Sequence, residues 1–149
     1  VYEYVVKPAL HEFTSFAFED ICREFVREMQ KKNELPFRYS KMGRWFGKST
    51  VRDAKAASGF RTAETEIDLL AISKGAEEYL VGECKFKGEP FSYSEYLDTL
   101  AKLSPLKEKA KFYYALFSEN GFDKKISDCA AENKTYLYTL EQIVNYNKN

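Results

Sequence analysis

The chain has 149 residues, no formal net charge, and 44% hydrophobic and 16% aromatic residues. This length suits one domain with its own core, and the apolar content excludes an intrinsically disordered chain. The neutral balance excludes a global field that steers the protein to nucleic acid or to a membrane surface, and no apolar run is long enough to span a bilayer. Three widely spaced cysteines fit neither a zinc site nor a disulfide framework, which indicates a reducing, cytoplasmic setting.

Helices and strands are predicted to alternate along the chain. Apolar residues at helical spacing predict a first helix over 14–32, and a mixed pattern predicts a strand over 37–46, followed by a polar, basic loop over 47–61. The later predictions are strands over 65–73 and 78–87, helix over 92–103 and again from Ser104, a strand over 111–118, a helix over 123–132, a strand over 135–138, and a last helix opened by a capping box at Thr139 and Gln142. The order α-β-β-β-α-β-α-β-α predicts an α/β fold with a mixed central sheet flanked by helices.

Charged residues interrupt the two strands that should be the most buried. Asp68 lies within the apolar run 66–72, and Glu83 and Lys85 lie within the next run, 79–86. Strand side chains alternate between faces, so Glu83 and Lys85 point the same way, about 7 Å apart. A buried carboxylate is costly unless something compensates its charge, and a divalent metal is the natural partner for convergent carboxylates.

A short hairpin between these strands can bring Asp68, Glu83 and Lys85 together on one face. Glu19 lies beside the apolar stripe of the first helix and adds a carboxylate if that helix packs across the sheet. Mg²⁺ binds such oxygen ligands and keeps several waters, and a bound metal acidifies water and neutralises charge that develops on phosphorus. Lys85 can hold or deprotonate the attacking water, or offset phosphate charge. The constellation predicts metal-dependent phosphodiester hydrolysis.

Simpler readings of the same residues stay open. The charged strand residues can face solvent, or Asp68 and Lys85 can form an ion pair that carries no chemistry. Glu19 can be a solvated helix carboxylate. Glu66 shares strand parity with Asp68, so it lies either at the edge of the site or in solvent.

Together, these residues resemble the PD-(D/E)XK nuclease motif, with Glu19 on a helix, Asp68 on a strand and Glu83-Cys84-Lys85 on the next strand. The resemblance implies a restriction-endonuclease-like αβββαβ core. It also implies that Asp68 and Glu83 bind Mg²⁺ or Mn²⁺, that the backbone carbonyl of Cys84 is a further ligand, and that Glu19 supports the metal. Lys85 then assists the attacking water.

A narrower resemblance covers the segments 43–48, 66–68 and 82–86, which are similar to an uncharacterised domain family at the C-terminus of archaeal-type AAA ATPases. It implies that residues 1–149 form a single domain of a longer ATPase, with the N-terminal ATPase domain as its partner. The chain begins at Val1 rather than at methionine, and we expect a fragment of a longer polypeptide for that reason as well.

A basic stretch precedes the Asp68 strand. Between residues 38 and 61, seven Lys and Arg residues stand against one acidic residue, a balance of +6. Aromatic residues are interleaved, and basic side chains neutralise phosphates while aromatic rings stack on bases. The pattern predicts a DNA-binding groove with contacts from Arg44, Trp45, Lys48 and Arg52. The alternative is a solvated basic loop with Trp45 and Phe46 in the core.

The leading functional prediction is therefore a Mg²⁺-dependent nuclease-like domain that hydrolyses DNA phosphodiesters as a module of an archaeal-type ATPase. The alternative is a catalytically silent nucleic-acid-binding, protein-interaction or regulatory domain of that ATPase.

Overall fold

The computed structural model describes residues 15–146 and confirms the predicted order of helices and strands. The elements are α1 (Ser15–Lys31), β1 (Tyr39–Arg52), β2 (Phe60–Ser73), β3 (Glu78–Lys85), α2 (Tyr93–Ala101), a 3-10 helix (Ser104–Glu108), β4 (Lys111–Ser118), α3 (Lys124–Cys129), β5 (Thr135–Thr139) and α4 (Leu140–Asn145). Thr14, the start predicted for the first helix, lies outside the described residues. No helix within residues 15–146 is long and apolar enough to cross a membrane.

The five strands form one sheet in the order β1-β2-β3-β4-β5. The first three strands are antiparallel neighbours, and β4 and β5 continue the sheet parallel to β3. Parallel neighbours need crossover connections, which here contain α2 with the 3-10 helix, and then α3. The chain is thus a mixed α/β domain whose five-stranded mixed sheet is flanked by helices.

Helices cover both faces of the sheet. The side chains that α1 buries recur every three or four residues, as in an amphipathic helix: Phe18, Cys22, Phe25, Val26 and Met29. They pack with α4 on one face of β2, β3 and β4. On the opposite face, α2, the 3-10 helix and α3 bury a second set of side chains. The sheet is therefore enclosed in its central part, where a polar side chain needs a partner.

A long hairpin replaces the basic loop that we predicted over 47–61, so that prediction is wrong. Strand β1 continues to Arg52, which pairs with Phe60, and the pairing runs without interruption back to Trp45 opposite Ile67. The segment has a polar composition because most of its side chains are exposed or half-exposed, with Ser49 as a buried exception. Its strand character comes from β-branched residues at 50 and 51 and from a cross-strand pair of opposite charge, Lys48 with Glu64.

An irregularity in β2 falls at Asp68. The pairing of β1 with β2 shifts between Gly43 and Trp45, which stand opposite Leu70 and Ile67, so β2 holds one residue more than β1 there. Ile67 and Leu70 accordingly face the same side although they are three residues apart. Such a bulge changes the direction of side chains. The alternation of faces that would place Glu66 and Asp68 on the same side therefore does not hold across it.

Candidate active site

Asp68 and Glu83 meet where the antiparallel pairing of β2 and β3 ends. Leu69 stands opposite Gly82, which sets the next residues on each strand, Asp68 and Glu83, against each other. The Asp68 carboxylate accepts a hydrogen bond from the Cys84 backbone N–H at 2.9 Å. Both acidic residues are buried, with exposed fractions of 7% for Asp68 and 5% for Glu83. The two carboxylates that the sequence predicted as partners therefore share one buried position.

The first helix contributes a third carboxylate from the neighbouring side. Glu19 is buried, and its Oε1 atom has no hydrogen-bond partner; the Arg23 guanidinium lies 3.9 Å from it. Arg23 also donates a hydrogen bond of 2.7 Å to the backbone oxygen of Asp68, which ties α1 to the bulge in β2. Glu19 thus points into the region of Asp68 rather than into solvent.

Two of these three carboxyl groups hold their protons more tightly than in water. Burial, followed by repulsion from Asp68, raises the pKa of Glu19 above its usual value. Burial raises the pKa of Glu83 to about 8, and the neighbouring Asp68 carboxylate adds to the rise while Lys102 opposes it. Raised pKa values of this kind are typical of buried carboxylates, and a neighbouring carboxylate adds to the rise.

Lys85 lies on the same side of β3 as Glu83 but is directed outward. Within residues 15–146 its amine forms an ion pair with Glu95 of α2, at 3.7 Å, and not with Asp68. The ion pair between Asp68 and Lys85, which the sequence left open, is therefore not formed within residues 15–146. Lys85 instead lines a cleft between the hairpin and α2, beside the buried carboxylates.

Lys102 is a site residue that no sequence pattern predicted. This residue follows α2, and its amine donates hydrogen bonds to the Glu83 carboxylate and, at 2.6 Å, to the backbone oxygen of Glu66. It lies 19 positions after Glu83, outside the strand motif, and no local pattern marks it. Only the three-dimensional packing of α2 against the sheet brings it to the site.

The donor atoms fit a hard divalent cation in type. Within residues 15–146 no three His, Cys, Asp or Glu side chains are assembled at metal-coordinating spacing. However, Asp68 and Glu83 converge, Glu19 presents a buried oxygen without a hydrogen bond, and carboxylates are the ligands that Mg²⁺ and Mn²⁺ prefer.

Cys84 offers its backbone, not its thiol, to this position. The thiol lies beside Cys22, and burial together with that neighbour raises its pKa, which disfavours the thiolate that metals bind. The N–H of Cys84 points to Asp68. In a strand the N–H and the carbonyl of one residue point to the same side, so the carbonyl oxygen of Cys84 also faces β2.

A cleft of about 370 Å³ lies between the hairpin and α2, and it is linked to the carboxylates through Lys102, which lines the cleft and contacts Glu83. Four basic side chains line it together with two acidic ones: Arg52, Arg61, Lys85 and Lys102, with Glu64 and Asp98. Arg52 crosses the cleft entrance and contacts α2 through Asp98 at 3.2 Å. The lining thus has two more basic than acidic side chains, and each of the four basic side chains also contacts a carboxylate.

The other predicted nucleic-acid contacts lie apart from this cleft. Arg44 pairs with Glu66 at 2.7 Å, and Lys48 is exposed on the hairpin. Trp45 packs against the second core, so its ring is partly withdrawn from solvent. The aromatic surface of the hairpin comes instead from Phe46 and Phe60, which are 70% and 46% exposed.

The fold and the site define a mixed α/β domain with a buried carboxylate cluster beside a basic cleft. The chain belongs to the DUF234 family, described as archaeal and bacterial proteins of unknown function, whose model matches residues 1–98. It is 28% identical over 128 residues to the uncharacterised protein MJECL04 of Methanocaldococcus jannaschii. That alignment covers 83% of this chain and 26% of the relative, so the chain spans about a quarter of the relative's length.

Two solved structures are similar to this chain. Protein VC1899 from Vibrio cholerae matches with a TM-score of 0.53 and 16% identity, over 87% of this chain and 31% of that one. Protein AF1548, a protein of unknown function, matches with a TM-score of 0.48 and 16% identity, over 85% of this chain and 58% of that one. The likeness to VC1899 concerns the fold alone.

Proposed function

We propose that this chain is a Mg²⁺- or Mn²⁺-dependent nuclease-like domain that hydrolyses DNA phosphodiesters. The observation that carries the proposal is the convergence of the buried Asp68 and Glu83 carboxylates at the bulge in β2, with Glu19 directed toward them. A bound divalent cation supplies charge neutralisation at phosphorus and lowers the pKa of water. The order of elements around the sheet supports a restriction-endonuclease-like αβββαβ arrangement as the framework.

Each residue has a role that follows from its position. Asp68, Glu83 and the Cys84 carbonyl would hold the cation, and Glu19 would complete its surroundings from α1. Lys85 is the lysine of the Glu83-Cys84-Lys85 motif, and its side chain lines the cleft. There the ammonium can offset phosphate charge or orient the attacking water.

The basic cleft and the hairpin provide the path for DNA. Arg52 and Lys85 border the cleft, and exposed Phe46 and Lys48 extend the basic, aromatic surface along the hairpin. Phosphates held by the basic side chains would lie next to the carboxylates, and exposed rings stack on bases without sequence preference. Trp45 supports this surface from its inner face.

We further propose that the domain works as a module of a larger protein with an N-terminal ATPase domain. The alignment leaves about three quarters of MJECL04 unmatched, which agrees with a module of a longer protein. The ATPase part of this proposal rests on the resemblance of the segments 43–48, 66–68 and 82–86.

Metal-dependent nicking of supercoiled plasmid DNA tests the proposed reaction. Asp68→Ala is expected to abolish nicking in Mg²⁺ or Mn²⁺, because it removes one of the two convergent carboxylates. Glu77→Ala is the matched control, since it removes one acidic group from the exposed turn before β3. Nicking that persists unchanged in Asp68→Ala overturns the proposal.

A second candidate is a domain that binds nucleic acid or the ATPase partner without cutting. It is favoured by the lack of a preassembled three-side-chain metal cluster within residues 15–146 and by the exposed phenylalanines of the hairpin. In this case the double variant Arg44→Ala with Lys48→Ala weakens DNA binding, while Glu83→Ala changes it little. A large loss of binding in Glu83→Ala alone contradicts this alternative.

A further inference from the structure

Lys102 is held in place from both sides of its backbone. Its N–H donates to the Thr99 carbonyl at the end of α2. The next residue, Leu103, has a left-handed backbone with φ of 59° and donates its N–H at 2.8 Å to the buried Ser49 hydroxyl of the hairpin. The lysine side chain therefore enters the site from a fixed point rather than from a loose loop.

The side chain of Lys102 is the direct hydrogen-bond partner of Glu83. The exposed fractions of the two side chains are 14% for Lys102 and 6% for Glu83, so this contact is largely removed from water. A second hydrogen bond, to the Glu66 carbonyl at 2.6 Å, holds the ammonium against the sheet. Burial of such a pair is acceptable only when the hydrogen bonds of both partners are satisfied.

The Lys102 ammonium thus contacts a carboxylate oxygen of Glu83, a group that would bind the proposed divalent cation. We infer, on the basis of the proposed metal site, that Lys102 is a built-in counter-ion that holds the place of the metal in the unloaded site. An ammonium and a divalent cation repel each other at short range, so the Lys102 ammonium on Oε1 of Glu83 opposes metal binding at this carboxylate. When the metal binds, Lys102 leaves Glu83 and its charge moves into the cleft that it already lines.

This exchange gives Lys102 a role different from that of Lys85. Lys85 already faces the cleft and pairs with Glu95, whereas Lys102 becomes available to an anion only after the metal has replaced it. Metal binding would therefore add one positive charge to the cleft, and phosphate binding would depend on the metal. Lys102 is in this sense a positioning residue that acts through Glu83.

Calorimetric titration of the full chain with Mn²⁺ separates this role from a merely structural one. Lys102→Met removes the competing charge, and its affinity for Mn²⁺ is expected to rise at least about fivefold over wild type. Lys102→Gln, which keeps a donor for the Glu66 carbonyl, is expected to change in the same direction. Lys109→Met, an exposed lysine in the same segment, is the matched control and keeps the wild-type affinity.

The outcomes distinguish this inference from the proposed function. Affinity that is unchanged or weaker in both Lys102 variants, while Asp68→Ala abolishes Mn²⁺ binding, overturns the role of Lys102 and leaves the metal site intact. Binding in Asp68→Ala equal to wild type overturns the metal site itself.

Labelling of the wild-type protein tests the exchange without a substitution. An amine-reactive reagent followed by peptide mass spectrometry reports how accessible each lysine is. We expect Mn²⁺ to increase the labelling of Lys102 several-fold, because its amine leaves Glu83, and to leave Lys109 unchanged. Labelling of Lys102 that stays constant or falls with Mn²⁺ overturns the inference.

Discussion

The pH dependence of folding stability reports the protonation of Glu83. Burial, reinforced by the Asp68 carboxylate, raises the pKa of Glu83 from 4.5 to about 8 in the folded chain. Because the folded state holds this proton more tightly than the unfolded state, its stabilisation is complete below pH 4.5 and is lost as the pH rises through 8. At about 1.4 kcal/mol for each pH unit, the loss approaches about 5 kcal/mol.

Glu83→Gln isolates this contribution. The amide removes the titration but keeps the side-chain shape and an acceptor for Lys102. We expect urea denaturation in EDTA to show that the free energy of unfolding of the wild type falls between pH 5 and pH 8, whereas that of the variant does not. At pH 8 the fall relative to the variant is roughly a few kcal/mol. Glu77→Gln, in the exposed turn before β3, is the matched control and keeps the wild-type slope.

Unchanged ionisation of Glu83 would contradict this prediction. If Lys102 keeps Glu83 ionised throughout this range, the wild-type and Glu83→Gln curves run parallel, and the variant is the less stable protein at every pH. Parallel curves would show that the ion pair, not burial, decides the charge of Glu83.

Two further substitutions test contacts beside the site, namely the hydrogen bonds of Glu95 and the packing of Gly82 against Leu69. Although burial opposes it, hydrogen bonds from Lys87 and Ser92 hold the pKa of Glu95 at about 2. Glu95→Gln should therefore cost about 1–2 kcal/mol at pH 7, and denaturation scans should show the difference disappearing as the pH falls from 4.5 toward 2. Gly82→Ala places a Cβ 3.0 Å from the Leu69 Cβ. Thermal melting should reveal a loss of about 1–3 kcal/mol; a variant as stable as wild type would contradict the close strand contact.

The strongly patterned elements could be predicted from sequence. The apolar run of β4 matches its predicted bounds, Lys111–Ser118, because a fully buried strand next to turn residues leaves little ambiguity. The capping box of Thr139 and Gln142 is confirmed in α4, since both of its hydrogen bonds are local.

The hairpin and the bulge could not be predicted in this way. The outer part of the hairpin, 47–61, carries polar residues on both faces, so it lacks the alternation that marks a half-buried strand. The bulge at Asp68 arises from the pairing of β2 with β1, which no single strand pattern records.

For the site, the sequence predicted the residue types and their order but not their partners. The strand motif led to Asp68 and Glu83 because charges within apolar strands are rare and costly. Lys102 was missed because its contact with Glu83 depends on where α2 ends relative to the sheet. Similarly, the pairing of Lys85 with Glu95 depends on the docking of α2.

Anomalous scattering from crystals of the protein grown with Mn²⁺ locates a metal at the carboxylates if one binds there. The account predicts a peak between Asp68 and Glu83, about 2.1 Å from their carboxylate oxygens, with the Lys102 amine withdrawn from Glu83. Well-ordered density that shows no peak there, with Lys102 still bound to Glu83 at saturating Mn²⁺, would contradict a metal site at these carboxylates.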